Sequence, residues 1–223
     1  EILVVEADFV FEEVFEATPD LSFLGVCRGG LDHVDVDAAT RYGVLVVNTP
    51  GRNASAVAEH ALGLMLALAR QIPEAHRYLT SGEWLDPVEP YMTMRGVELA
   101  GRTLGVIGLG AIGRRLAATT SALGMTVLAH DPYVTSPPRG ITPTELDEVL
   151  AQSDFVAISA PLSPETEGLI DARRLGLMKP SAYIVNLSAA AIVSEEALVA
   201  ALRQRQIAGL AMDVFETHPI SPN

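Results

Sequence analysis

The hexapeptide GLGAIG at residues 108–113 has the spacing G-x-G-x-x-G, and its flanks decide what it can do. The apolar run TLGVIGLG leads into it and has the composition of a strand. Residues 112–123 follow with helical spacing, and Asp131 closes the next apolar run, MTVLAHD. Strand, glycine turn and helix in that order form a seat for a dinucleotide. Gly108 makes the tight turn, Gly110 lets the backbone approach a pyrophosphate, and Gly113 lets the helix pack close to the strand. The anion then meets the free N–H groups and positive end of the helix. Asp131 accepts hydrogen bonds from the adenosine ribose and repels a 2′-phosphate, so NAD is expected over NADP. His130 beside it reads as a strand-end residue.

The elements that position these residues follow a regular pattern from Gly101 onward. Strands TLGVIGLG, MTVLAHD, DFVAISAP, AYIVNLS and IAGLAMDV alternate with helices at 112–123, 143–151, 171–177 and 194–203. The strands are nearly all apolar, as in a parallel sheet covered on both faces. The expected fold class is therefore α/β, a doubly wound parallel sheet of five strands. A sixth strand, needed for two equal halves, is expected past Asn223. Residues 101–223 form this dinucleotide-binding domain in the reading, lacking the last strand.

Upstream, EILVVEA, LSFLGVC and VLVVNTPG read as three strands of a smaller α/β unit over residues 1–50. The loops at Gly29-Gly30 and Pro50-Gly51 fall near one edge of it. Residues 53–82 read as one long helix bent near Pro73, and 83–96 as a connection. The run ALGLMLALA at 61–69 is apolar on most faces, so it is buried or packs against a partner. At nine residues it is too short for a membrane span, which needs about 20.

Composition narrows the partners. The formal net charge is −13, and 49% of the residues are apolar. That charge argues against nucleic acid and against an anionic membrane, since both require a positive face. The single cysteine, Cys27, rules out an internal disulfide framework and a cysteine-based metal site, and it fits a reducing, cytoplasmic compartment. No metal is expected.

The segments RGGLDHVDVDAATRYGVLVVNTPG, AVAEHALGLMLALAR, ELAGRTLGVIGLGAIGRRLA, HDPY, SDFVAISAPLSPETEGLI, MKPSAYIVNLS and EEALVAALRQRQIAGLAMDVFE together resemble the D-isomer-specific 2-hydroxyacid dehydrogenases, phosphoglycerate dehydrogenase among them. The resemblance runs along the whole chain in order. It implies a Rossmann domain inserted into a smaller flavodoxin-like substrate domain, here incomplete, with the chain starting partway into that domain. It implies a homodimer in which residues 51–100 take part, NAD as cofactor, and a 2-hydroxy or 2-keto acid as substrate. By resemblance, Ala111 and Ile112 lie at the pyrophosphate. Ala160 and Pro161 line the adenosine side, and Leu187, Ser188 and Ala189 approach the nicotinamide. Asp213 binds its carboxamide. The loop Cys27, Arg28, Gly29, Gly30 matches the substrate-carboxylate loop, with Asn53 on the substrate side and Arg28 as an extra anion clamp or a solvated surface arginine.

Two positions depart from the family pattern. The family arginine that grips the substrate follows the Asn-x-Ser stretch, where this chain has Ala189. The family glutamate precedes the proline in D-V-[FY]-x-x-E-P, where DVFETHP places His218. The family's catalytic histidine sits in a Thr-Pro-His segment expected beyond Asn223. Alanine can neither bind an anion nor polarise a carbonyl. His218 can serve as a neutral acceptor or a proton carrier near neutral pH, or be a tolerated replacement. His33, His60 and His76 read as loop or helix histidines. Two functions fit: an NAD-dependent dehydrogenase with an altered substrate, or an NAD(H)-binding regulatory protein or pseudoenzyme on the same fold.

Overall fold

The computed structural model describes residues 1–82, 84–217 and 220. The chain divides into two compact units, Glu1–Ala54 and Ser55–Asn223.

The first unit is a three-stranded parallel sheet in the order β1 (Ile2–Val5), β2 (Phe23–Val26), β3 (Leu45–Asn48). The crossovers are α1 (Glu12–Ala17) and α2 (Val36–Arg41), and Asp35 caps α2 by accepting from the Ala38 N–H at 2.7 Å. Both helices press apolar residues, Phe15, Ala38 and Ala39, onto Leu24 and Val26 of the sheet. Parallel pairing aligns the C-terminal ends of the strands, so the loops after Val5, Val26 and Asn48 emerge on one edge.

The second unit opens with α3 (Ala54–Ala69) and α4 (Ile72–Thr80). These are two helices where one bent helix was expected. Gln71 adopts a left-handed conformation (φ 52°), and Pro73 sits in the first turn of α4. A proline inside a continuous helix would strip the carbonyl four residues earlier of its partner. That carbonyl, on Ala69, instead accepts from the Val97 N–H at 2.7 Å. Ala61, Met65 and Ala69, one turn apart, form the buried stripe of α3 against Leu104, Val106 and Val185 of the sheet. The stretch read as a plain connection contains a short helix, α5 (Glu89–Thr93).

The central sheet has six parallel strands: β4 (Thr103–Ile107), β5 (Thr126–His130), β6 (Ile141–Pro143), β7 (Phe155–Ile158), β8 (Tyr183–Asn186) and β9 (Gly209–Met212). Their order is β6-β5-β4-β7-β8-β9. This corrects the expected count of five strands within the chain. The sixth strand is β6, only three residues long, in a stretch where the helix was expected to begin at 143. It pairs with Val127–Ala129 at the sheet edge, where Pro143 is tolerated because its missing N–H faces no neighbouring strand. α7 (Leu146–Gln152) starts after it. The remaining helices, α6 (Ala111–Ala122), α8 (Ala172–Leu175) and α9 (Glu195–Arg203), complete the crossovers. β7 is buried along its whole length and β4 over four of its five residues, which explains their uninterrupted apolar sequences.

Strand order reverses between β4 and β7, and ligands of doubly wound sheets gather beyond the C-terminal ends at that reversal. The opposite end is braced by Asp154, whose side chain is 14% exposed. It accepts from the Thr103 N–H at 2.9 Å and from Lys179 Nζ at 3.0 Å. Burial pushes its pKa up, but these two donors outweigh that and hold it below the usual carboxylate range. Asp154→Ala should therefore destabilise the protein by about 1–3 kcal/mol, because two donors lose their acceptor. Chemical denaturation at pH 7 reads this, and NADH affinity should not change. The ionised carboxylate's contribution is present above the ordinary pKa and is lost as pH falls below it, so wild type and variant should converge in acid.

Candidate functional site

The glycine loop after β4 has the geometry its sequence predicts. Gly108 has φ +95°, and a Cβ built on it would lie 2.5 Å from the backbone nitrogen of Ala160. A Cβ on Gly113 would stand 2.1 Å from the Gly108 carbonyl oxygen and 3.1 Å from Val106 Cγ1, so only glycine lets α6 approach the strand this closely. A Cβ on Gly110 would meet no atom of the chain within 4 Å. Close packing therefore demands glycine at 108 and 113, whereas Gly110 leaves bare backbone at the helix entrance. Gly110 is the N-cap residue of α6 and no side chain caps that helix, so the first-turn N–H groups, those of Ala111 and Ile112 among them, keep their donor capacity for an anion.

Asp131 stands at the end of β5 beside this loop. One of its carboxylate oxygens accepts from the Leu109 N–H at 2.8 Å, the other from the Tyr133 N–H at 2.9 Å. Each oxygen keeps a second lone pair for a ribose hydroxyl. Asp131, Ala160 and Pro161 line one cleft of about 220 Å³, with Ile107, Tyr133, Ser163, Glu165, Thr166 and Leu169. Its apolar walls suit an adenine ring and its carboxylate a ribose. The Ser163 hydroxyl donates to Glu165 at 2.7 Å and holds that carboxyl below the usual range. The cleft and loop thus fit the adenosine diphosphate half of a dinucleotide.

The stretch after β8 is tied internally. Asn186 is fully buried; its Nδ2 donates to the Ala189 carbonyl at 2.9 Å, and its Oδ1 accepts from the Ser188 N–H at 3.1 Å. Ser188 Oγ donates to the Ala160 carbonyl, linking this turn to the cleft beside Asp131. Leu187 is buried in the core, and Ala189 is half-buried with an extended backbone (φ −145°) that any residue can adopt. Asp213 follows β9, its N–H donating to the Asn186 carbonyl at 3.1 Å. Its exposed carboxylate approaches His60 Nε2 at 3.5 Å. Leu187, Ser188, Ala189 and Asp213 are thus gathered around the ends of β8 and β9.

Within the first unit, Cys27, Arg28, Gly29 and Asn53 line a hollow of about 230 Å³ with Glu6, Ala7, Thr49 and Arg52. Asn48 Nδ2 donates to the Gly29 carbonyl at 2.7 Å and fixes the loop. Gly30 lies beside the hollow, where a Cβ would meet Asp32 Oδ1 at 2.7 Å. Arg52 pairs with Glu6. His218 lies outside the described residues.

Three further residues shape these loops, and the sequence reading named only Asn186, as a turn former. Asn186 fixes the 186–189 turn, Ser159 Oγ holds the Gly108 carbonyl at 2.7 Å, and Arg114 Nε holds the Leu109 carbonyl at 2.7 Å. Asn186 carried a signal, its Asn-x-Ser spacing at a strand end. Ser159 and Arg114 carried none, since their partners are backbone atoms that only the fold brings near. Among the described residues, no helix is long and apolar enough to cross a membrane.

Comparison with known proteins gives a consistent result. Residues 62–223 match the family described as D-isomer specific 2-hydroxyacid dehydrogenase, NAD binding domain. D-3-phosphoglycerate dehydrogenase of Synechocystis is 41% identical over 98% of this chain and 39% of its own length. Glyoxylate reductase of Thermofilum pendens is 40% identical over 100% of this chain and 66% of its own length. A crystal structure from a Polaromonas species, described as a D-isomer specific 2-hydroxyacid dehydrogenase, superposes with a TM-score of 0.89 at 33% identity, covering 100% of this chain and 71% of that one. The chain spans less than two thirds of the length of these curated relatives.

Proposed function

The chain belongs to the D-isomer specific 2-hydroxyacid dehydrogenase family, and from that premise we propose that it serves an NAD-dependent oxidoreductase acting on a 2-hydroxy or 2-keto acid. The observation that carries the proposal is the undamaged cofactor seat: Gly108, Gly110 and Gly113 in working geometry beside Asp131. NAD(H), when bound, accepts or supplies a hydride at the nicotinamide C4. The α6 entrance, with Ala111 and Ile112, binds the pyrophosphate. Asp131 orients the ribose and disfavours a 2′-phosphate. Ala160 and Pro161 flank the adenosine, Leu187, Ser188 and Ala189 border the nicotinamide, and Asp213 holds its carboxamide.

The substrate carboxylate is assigned to the backbone N–H groups of Gly29 and Gly30, with Asn53 and Arg28 beside them, since glycine lets an anion approach the backbone closely. Arg28 is exposed at the hollow it lines. Within this sequence the candidate proton carrier is His218, at the position of the family glutamate. Ala189 in place of the family arginine favours a substrate held differently from that of a typical relative. The same substitution supports the second reading, an NAD(H)-binding regulatory protein or pseudoenzyme.

A homodimer is part of the proposal. The second unit leaves Ile72, Leu79, Trp84, Leu85, Tyr91 and Met92 each more than half exposed, an apolar set that a second copy would cover. A cytoplasmic location accords with a lone free thiol, Cys27. An NADH-oxidation screen of the full-length protein over 2-keto acids, phosphorylated and not, tests the activity. Turnover of any of them supports the dehydrogenase. NADH binding without turnover of any supports the regulatory reading.

A further inference from the structure

Helix α3 presents itself in sequence as a packing element, and most of it is one. Its first turns do something more. Ser55 Oγ accepts from Arg115 Nε of α6 at 2.9 Å, so the start of α3 is attached to the helix that receives the pyrophosphate. Little more than a turn later, His60 Nε2 lies 3.5 Å from Asp213 Oδ1, at the end of β9. Asp213 is itself fixed to β8 through the Asn186 carbonyl. Both side chains of the pair are about half exposed, His60 at 50% and Asp213 at 57%. Neither is part of the buried core.

A carboxylate that must hold a carboxamide N–H has two equivalent oxygens and free rotation about its terminal bond. An imidazole N–H 3.5 Å from one oxygen, beyond the usual hydrogen-bond distance, biases that rotation by charge–dipole attraction and leaves the other oxygen for the ligand. An imidazole with its proton on Nε2 presents such an N–H, whether neutral or protonated. We propose that His60 is a positioning residue for the nicotinamide half of the cofactor, orienting the Asp213 carboxylate so that its second oxygen faces the carboxamide. The proposal rests on the assignment of Asp213 to that carboxamide. α3 thereby touches both halves of the cofactor site, the pyrophosphate end through Ser55–Arg115 and the nicotinamide end through His60–Asp213.

The test compares two ligands that share their adenosine diphosphate half. NADH carries the nicotinamide and ADP-ribose does not. His60→Ala should weaken NADH binding by about fivefold, the size of a single charge-assisted contact at a part-exposed site. It should leave ADP-ribose binding and the melting temperature unchanged. His60→Gln, which keeps an N–H at the same reach, should restore NADH binding to near the wild-type value. Equal effects of His60→Ala on the two ligands, or none on NADH, would overturn the role of His60. Asp213→Ala separates the two claims. If it weakens NADH selectively while His60→Ala does not, the carboxamide assignment stands and the positioning role is wrong. If it leaves the NADH to ADP-ribose affinity ratio unchanged, the assignment itself is wrong, and the positioning role goes with it.

Discussion

Gly113→Ala should cost the protein both its dinucleotide binding and part of its stability, whereas Gly110→Ala should cost it the binding alone. The difference follows from what each added methyl would meet. At Gly113 the methyl would stand 2.1 Å from the Gly108 carbonyl oxygen and 2.9 Å from Ser159 Oγ. Backbone cannot yield that much locally, so α6 must lift away from β4. Overpacking of this kind costs about 1–3 kcal/mol of stability. The lift also moves the first-turn N–H groups off their anion, and NADH affinity should fall by about a hundredfold or more, ~2.8 kcal/mol. At Gly110 no chain atom lies within 4 Å of the added methyl, so the melting temperature should hold. The methyl instead fills the space through which the pyrophosphate reaches the backbone, and NADH affinity should again fall. Isothermal titration with NADH and a thermal melt on both variants separate the effects. A Gly110→Ala variant that binds NADH normally would show that the phosphates do not enter over this helix.

Ala189→Arg together with His218→Glu should raise the activity of the full-length protein on simple 2-keto acids. Position 189 is half-buried and extended, at the end of a turn fixed by Asn186, so an arginine there needs no backbone change. Loss of a charge-assisted contact to a substrate carboxylate at a buried site costs about 2–5 kcal/mol. Expressed in the transition state, that is about two to four decades in rate. In the full-length protein, Ala189→Arg combined with His218→Glu should therefore raise kcat/KM on simple 2-keto acids by about two decades or more. Steady-state NADH oxidation measures it. No gain, with folding and NADH binding intact, would mean that the substrate pocket has diverged beyond that class.

These two experiments touch opposite halves of the site, and the halves were not equally legible in the sequence. The glycine loop proposed for the cofactor was readable because the chemistry it implies is done by backbone. Glycines at fixed offsets between a strand and a helix have few other uses, and Gly108, Gly113 and Asp131 stand where that logic places them. Alternating apolar runs likewise announced the parallel sheet. What escaped was short or set by remote partners. Strand β6 has three residues and ends in a proline, too little for a period to emerge, so the sheet was read as five strands. The break at Gln71 looked like a bend because Pro73 alone cannot say whether a helix kinks or restarts. The answer lay with Val97, which takes the Ala69 carbonyl from a distant point in the sequence. The His60–Asp213 contact was invisible for the same reason, since a histidine on a helix gives no sign of what a strand far downstream will bring to it. Substrate chemistry was the least legible, because Ala189 records only which family side chain is gone.

The most direct test of the account is a fluorescence titration of the wild-type chain and of Asp131→Ala with NADH and NADPH. The wild type should bind NADH saturably and NADPH about tenfold or more weakly, and Asp131→Ala should bind NADH clearly less tightly. Failure of the wild type to bind NADH at millimolar concentration would contradict it.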